Sequence, residues 1–306
     1  MKARVVWLIL CGIWGSTWLF IKLGLADLPP LTFAGIRFLF ASLILVALIL
    51  ARGVRWPRQR RDWIVIAVVG LLQFSLNYGL VFWGEQRISS GLAAVLQSTF
   101  PAFGLVIAHF YLPDEPMTTK KVIGVLLGFA GVGIIFSQQL SIAGRTALVG
   151  SVALVLSALC GSYGNVLVKA YGTQIDPFVL AAGQMMCGFP PLLALGVWTE
   201  GNPFRFHWTR MAILALAYLV IVGSVLAFTL FYWLVRHMDV VNTMLIALVT
   251  PVVAVILGMI VLQEQLNWRL FAGAACIISG ISFIVLRKRQ KTVAVDEEEP
   301  EMMSVG

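Results

Sequence analysis

The side chains in this sequence that could do chemistry are few, and most lie inside apolar runs: Arg37, Glu85, the amides Gln73, Asn77, Gln97 and Asn165, the phenols Tyr78, Tyr163 and Tyr232, and the hydroxyls Thr243 and Thr250. Lys22 and Lys169 stand at the ends of two such runs. An unpartnered amide in hydrocarbon is costly, so these groups are expected to face protein or a wet cavity. Their chemistry is recognition rather than bond-making. Amides and hydroxyls donate and accept, and a guanidinium grips a carboxylate through a planar fork. A bond-making constellation is missing from the sequence: there is no helical His-Glu-x-x-His, no Gly-x-Ser-x-Gly and no buried acidic pair. No Gly-rich loop carries a Lys, which argues against direct use of ATP. The four cysteines have no metal-ligand spacing and the three histidines are far apart, so no metal, cofactor or catalytic residue is expected.

One stretch places a polar stripe on an early apolar helix. Cys11, Gly15, Trp18 and Lys22 recur at helical spacing in CGIWGSTWLFIK. Adding 147 to these numbers reaches Ala158, Ser162, Asn165 and Lys169, and takes Pro30 to Pro177. An offset of 150 puts Trp83 on Trp233 and Pro101 on Pro251. An offset of 149 puts Glu115 on Glu264, Gly124 on Gly273 and Gly131 on Gly280. One half of the chain thus reads as a copy of the other.

The elements that carry these residues must be membrane spans. Of 306 residues 60% are hydrophobic and 12% charged, against roughly 25% charged in a soluble domain. Ten spans are expected, over roughly 5–24, 31–51, 63–83, 91–112, 121–138, 148–170, 177–198, 210–235, 240–262 and 268–286. The first is too long for a cleaved signal peptide and has no small-residue cleavage site. The net charge of +8 comes from short basic clusters between spans, which fits positive-inside topology better than nucleic-acid binding. With the N-terminus inside, 15 of the 22 basic residues fall on inner links, 6 fall outside, and Arg37 lies within a span. Both termini are therefore expected in the cytoplasm. Residues 1–140 form one five-span repeat and 141–290 a second that enters from the opposite side. Residues 291–306 form an acidic cytoplasmic tail too polar to fold. Inverted repeats of this kind are a feature of many secondary transporters, with the site at mid-membrane where the repeats meet.

The residues Trp14-Gly15-Ser16, Lys22, Pro29-Pro30 and Arg37-Phe38 resemble the start of the EamA family of the drug/metabolite transporter superfamily. Glu115 with Gly124, Gly128 and Gly131 looks like the end of its repeat, and Glu264 with Gly273 and Gly280 like the end of a second. The resemblance runs from about Trp7 to Leu286. It implies an all-α membrane fold of ten helices in two inverted five-helix repeats. It implies a central cavity lined by the first, third and fourth helices of each half, and export of amino acids or related metabolites across a bacterial inner membrane. The related small multidrug transporters carry a buried Glu in their first helix. This chain has none in its first or sixth span, so that proton mechanism does not carry over.

Substrate contacts are accordingly expected from Trp18, Arg37, Asn77, Tyr78, Phe82, Gln97, Tyr163, Asn165, Tyr232 and Thr243. Trp14, Trp83 and Trp233 are further candidates for an aromatic lining. Arg37 has two readings: it grips a substrate carboxylate, or it pairs with Glu85 as part of an outer gate. Lys22, Glu85 and Lys169 are candidates for gating or coupling; for the lysines the plainer reading is snorkelling to the interface. Pro101 and Pro251 are either paired hinges or static bends. Glu115 and Glu264 read as helix caps. The partners expected are a small-molecule substrate and the lipid bilayer, with a proton as possible coupling ion, and the protein is a monomer or homodimer. Two other functions stand beside metabolite export: efflux of hydrophobic cations, and a receptor or scaffold that moves nothing.

Overall fold

The structure is a computed structural model. It describes residues 2–88, 90–136 and 145–262, with isolated positions between 268 and 280. Glu264, the tail 292–306, the junction near residue 140 and most of the tenth expected span lie outside the described residues.

Among the described residues, six helical runs are long and apolar enough to cross a bilayer: Lys2–Leu25, Pro30–Ala51, Arg60–Glu85, Thr146–Gly172, Pro177–Glu200 and Arg210–His237. In hydrocarbon every backbone polar group needs an internal partner, which is why the chain is so uniformly helical. The first two runs are α1 (Lys2–Leu25) and α2 (Pro30–Ala51). Pro30 stands in the first turn of α2, where its missing N–H costs nothing. The N–H groups of Leu31 and Thr32 donate to the Glu200 carboxylate at 2.8 Å each. The end of the Pro177–Glu200 helix thereby caps the start of α2.

The third run is α3 (Arg60–Gly70), a π-helical segment Leu71–Asn77, and α4 (Tyr78–Glu85). The fourth expected span is not continuous. It is α5 (Ser90–Gln97) followed by α6 (Phe100–Tyr111), with Pro101 in the first turn of α6. Proline has no N–H to offer and clashes with the preceding turn, so the helix stops and restarts. The fifth span is α7 (Thr119–Phe136).

The second half follows the same plan. α8 (Arg145–Leu167) ends in a π-turn, Val168–Gly172, and α9 (Pro177–Glu200) follows. Then come α10 (Arg210–Val220), a π-helical segment Ile221–Leu226, and α11 (Ala227–His237). The segment expected as a ninth span is interrupted as well, into α12 (Val240–Met244) and α13 (Ile246–Leu262). The two long π segments begin at Leu71 and Ile221, 150 residues apart. Another local motif recurs at that offset. Arg87 Nη1 donates to the Trp83 carbonyl at 2.6 Å, and His237 Nδ1 lies 2.7 Å from the Trp233 carbonyl.

Side-chain contacts fix how the helices run. Trp7 Nε1 donates to the Asn242 carbonyl at 3.1 Å, and Gly15 lies against Thr250 and Val253, so α1 and α13 run parallel. Gly84 meets Leu154 and the Gly150 carbonyl, while Gly161 meets Asn77, so the third run is antiparallel to α8. Lys22, at the end of α1, reaches carbonyls at the end of α4, so α1 and the third run are parallel. Several crossings depend on glycine. A Cβ on Gly161 would stand 2.8 Å from Asn77 Nδ2, and one on Gly280 would stand 2.5 Å from the Gly124 carbonyl.

Candidate functional site

A cavity of about 100 Å³ lies where the two halves meet. It is lined by Trp14, Thr17, Trp18 and Ile21 of α1, by Gln73, Asn77, Tyr78 and Val81 of the third run, and by Gln97 and Phe100 at the break of the fourth. The second half contributes Asn165 of α8, Phe231 of α11, and Thr243, Met244, Ile246, Ala247 and Thr250 around the break of the ninth.

Four buried polar atoms in this lining have no hydrogen-bond partner in the structure: Trp14 Nε1, Gln73 Oε1, Asn77 Oδ1 and Asn165 Oδ1. Buried polar groups are paired in the great majority of cases, so a cluster of orphans around one cavity marks a place built for something else to pair with. The amide orientation is an assignment, and rotating an amide exchanges acceptor for donor without removing the need. The cavity therefore presents an indole donor and three unpartnered carboxamides against aromatic walls. Among the described residues no charged side chain lines it. A solute with apolar body and neutral or internally balanced polar groups is the chemical match.

The broken helices meet at the cavity. Pro251 has no N–H for the carbonyl of Ala247, one turn earlier. That carbonyl accepts instead from Ser98 Oγ at 3.2 Å and Thr250 Oγ1 at 3.3 Å. Ser98 Oγ also bonds the Ala94 carbonyl at 2.9 Å. Ser157 Oγ, on α8, donates to Gln97 Oε1 at 3.0 Å, which orients one cavity amide.

Of the expected substrate contacts, the structure brings Trp18, Asn77, Tyr78, Gln97, Asn165 and Thr243 to this one cavity, and it leaves Arg37, Phe82, Tyr163 and Tyr232 away from it. Arg37 is almost wholly buried, lies outside the cavity lining, and keeps one guanidinium nitrogen, Nη1, without a hydrogen-bond partner. It does not pair with Glu85. Its Nε donates to Ser224 Oγ at 2.8 Å and its Nη2 to the Gly223 carbonyl at 3.0 Å, in the π segment of the eighth span. The guanidinium carbon lies 5.1 Å from the ring centres of Phe38 and Tyr78 and 5.9 Å from that of Phe82. A π-turn that exposes a carbonyl, a hydroxyl and three ring faces is how this membrane tolerates an arginine. Tyr78 stands between that charge and the cavity. Phe82 packs edge-on to Phe33 with ring centres 5.3 Å apart. Tyr232 donates to Gln184 Oε1, and Gln184 is the counterpart of Arg37. Tyr163 shares a hydrogen bond of 2.8 Å with Tyr111 on an exposed face. Trp83 and Trp233 are likewise absent from the lining.

Sequence reasoning missed Thr17, Phe100 and Phe231. On α1 it took the stripe through Cys11, Gly15, Trp18 and Lys22, whereas the cavity face is Trp14, Thr17, Trp18 and Ile21. Gly15 is instead the packing face toward α13. The signal was present in the i, i+3, i+4, i+7 spacing from Trp14 to Ile21.

The two lysines do matching work at opposite ends of the helices that line the cavity. Lys22 Nζ donates to the carbonyls of Glu85 and Ile88 at 2.9 Å each. Lys169 Nζ donates to those of Val235 and Met238 at 2.7 and 2.8 Å. Each ammonium thus caps the last carbonyls of a helix in its own half, where the helix dipole also favours a cation. This is more specific than snorkelling. Lys169 also lies 3.9 Å from Glu115. The Glu115 carboxylate accepts from the Val240 N–H at 2.8 Å, so it caps α12 in the other half rather than its own helix α7. Burial raises the Glu115 carboxyl above its ordinary range, although the Val240 N–H and Lys169 favour the charge.

A helical membrane protein with a buried cavity lined by unpartnered polar atoms is suited to binding a small solute. The model of the EamA-like transporter family matches this chain twice, over residues 2–137 and 148–286, and the chain belongs to that family. It is 31% identical over 288 residues to the uncharacterized transporter YvbV of Bacillus subtilis, covering 94% of this chain and 93% of that one. It is 30% identical over 285 residues to the uncharacterized inner membrane transporter YedA of Escherichia coli K12, covering 90% and 88%. A crystal structure of another protein superposes with a TM-score of 0.78 over 93% of this chain and 96% of its own, at 21% identity, a likeness of fold alone. The protein is a multi-pass membrane protein of the transporter class.

Proposed function

We propose that the chain is a secondary transporter of the inner membrane that exports amino acids or related small metabolites by alternating access. The single observation that carries this is the cluster of unpartnered polar atoms on Trp14, Gln73, Asn77 and Asn165 around one cavity. In this reading ten spans form two inverted five-helix halves with both termini in the cytoplasm. The double match to the family model, the π segments 150 residues apart and the antiparallel course of the third run and α8 support it. The broken fourth and ninth helices are the flexible parts, with Pro101 and Pro251 at or near their breaks. The lysine caps close the two ends of the pathway. A lining whose described residues include no carboxylate favours a zwitterion or neutral solute over a hydrophobic cation, because a cation there would be desolvated without a counter-charge.

The test is counterflow in vesicles containing the pure protein. Vesicles preloaded with one unlabelled neutral amino acid at a time should take up the labelled form from outside, and Asn77→Ala and Asn165→Ala should abolish that uptake. No counterflow with any amino acid, and counterflow with a lipophilic amine instead, would move the protein to drug efflux. No counterflow with either class would leave a receptor or scaffold.

A further inference from the structure

Glu85 is fully buried at the end of α4, and both of its carboxylate oxygens lack a hydrogen-bond partner. A buried carboxylate without donors is unstable as an anion and acceptable as a neutral acid. Three cations lie on the helices packed against α4 or just past its end. Lys22, from α1, is bonded to the backbone carbonyl of Glu85 at 2.9 Å and not to its carboxylate. Arg37, from α2, donates to Ser224 and Gly223 and not to Glu85, and its Nη1 has no partner. Arg87, on the next turn, is turned back onto the Trp83 carbonyl and ring. Among the described residues α8 meets this end of α4 through Gly150, Ala153 and Leu154, and α5 brings no titratable side chain.

The other half shows that the carboxylate is not needed to build the site. The residue 150 positions on is Val235, and its carbonyl takes Lys169 in the same capping arrangement without a carboxylate on the capped residue; the acid near Lys169 is Glu115, 3.9 Å away on another segment. An acid on the capped residue itself is therefore found at the Lys22 end and not at the Lys169 end. Glu85 lies one turn beyond Val81, which lines the cavity, and Lys22 directly follows Ile21, which lines it too.

We propose that Glu85 is the proton-binding site of the transport cycle, taking up and releasing one proton as Lys22 moves between two positions. This rests on the carrier reading above. With the acid neutral, the ammonium donates to the Glu85 and Ile88 carbonyls, the arrangement seen here. When the O–H bond breaks and the proton leaves to water, the carboxylate draws the ammonium onto itself. The carbonyls at the end of α4 lose their cap, and that end of the cavity loosens. Lys22 is exposed at the end of α1 while it bonds the backbone carbonyl of the buried acid. The cycle exchanges one proton for one load and needs no other reactant.

Dicyclohexylcarbodiimide, which attacks protonated carboxyls in apolar surroundings, tests this without knowledge of the substrate. In purified protein the adduct, located by mass spectrometry, should form on Glu85, decline as pH rises, and persist to higher pH in Lys22→Gln. Vesicles supply the second arm. A pH gradient should drive uphill uptake of a neutral amino acid in the wild type. In Glu85→Gln the gradient should have no effect while counterflow continues. An unlabelled Glu85 at acidic, neutral and alkaline pH would overturn the proposal, as would gradient-driven uptake by Glu85→Gln. If wild-type counterflow is present but neither arm responds, only the proton site fails. If counterflow itself is absent, the carrier reading fails first.

Discussion

At the scale of single residues, the cavity is defined by what its side chains lack. Asn77 and Asn165 are buried with unpartnered oxygens. Replacing such an amide with an apolar group of similar size removes a desolvated orphan, so it is neutral or mildly stabilising. Asn77→Leu and Asn165→Leu should therefore keep or raise the melting temperature in detergent while transport falls about tenfold or more, which is about 1.4 kcal/mol of lost interaction with the moving solute. Melting curves and counterflow rates on the same preparations check it, and loss of both together would make the amides structural. Arg37 behaves differently. Arg37→Met keeps the bulk among Phe38, Tyr78 and Phe82 and sheds a buried charge, so stability should stay within about 1.5 kcal/mol. Arg37→Ala empties the space and should cost about 3 kcal/mol. Equal damage from both, in the same melting assay, would give the charge itself a larger role. Asn77, Gln97, Asn165 and Thr243 were legible because an amide or hydroxyl within an apolar run needs a partner whatever the fold. Arg37 was not. Its partners are a carbonyl and a hydroxyl freed by a π segment 187 residues away, and hydropathy carries no trace of such a segment.

At the scale of elements, helix existence was readable from apolar runs and helix interruption only in part. The paired prolines pointed to the right spans. For Pro101 the outcome is a full stop between α5 and α6, with the proline in the restarting turn. For Pro251 it is a freed Ala247 carbonyl that borrows a hydroxyl from Ser98, across the boundary between the halves. If these breaks flex during transport, Pro251→Ala should stiffen α13 by restoring its backbone bond. The expected result is unchanged binding of the transported amino acid with turnover slowed about tenfold, again about 1.4 kcal/mol in the barrier. Separate measurement of binding and of counterflow rate reads that split. A Pro251→Ala protein with wild-type turnover would make the bend static. The lysine caps belong to this scale too. The sequence offset paired Lys22 with Lys169, but the carbonyls they bind lie more than sixty residues away in sequence, at helix ends whose position had first to be known.

At the scale of the whole molecule, the duplicated pattern of Lys, Trp, Pro and Gly was the strongest message in the sequence, and composition alone placed the chain in a membrane. The family match makes the chain a membrane protein of the transporter class. The cavity serves transport only if it is open to each side of the membrane in turn. Thr17 and Thr243 line it from the two halves. With the four native cysteines replaced, Thr17→Cys and Thr243→Cys give each half one reactive reporter. The decisive measurement is the rate at which a membrane-impermeant thiol reagent modifies each reporter, in right-side-out and in inverted vesicles, with and without the transported amino acid. Modification of both positions from both faces, slowed by the amino acid, is the predicted result. Modification from one face only, in every condition, would contradict it.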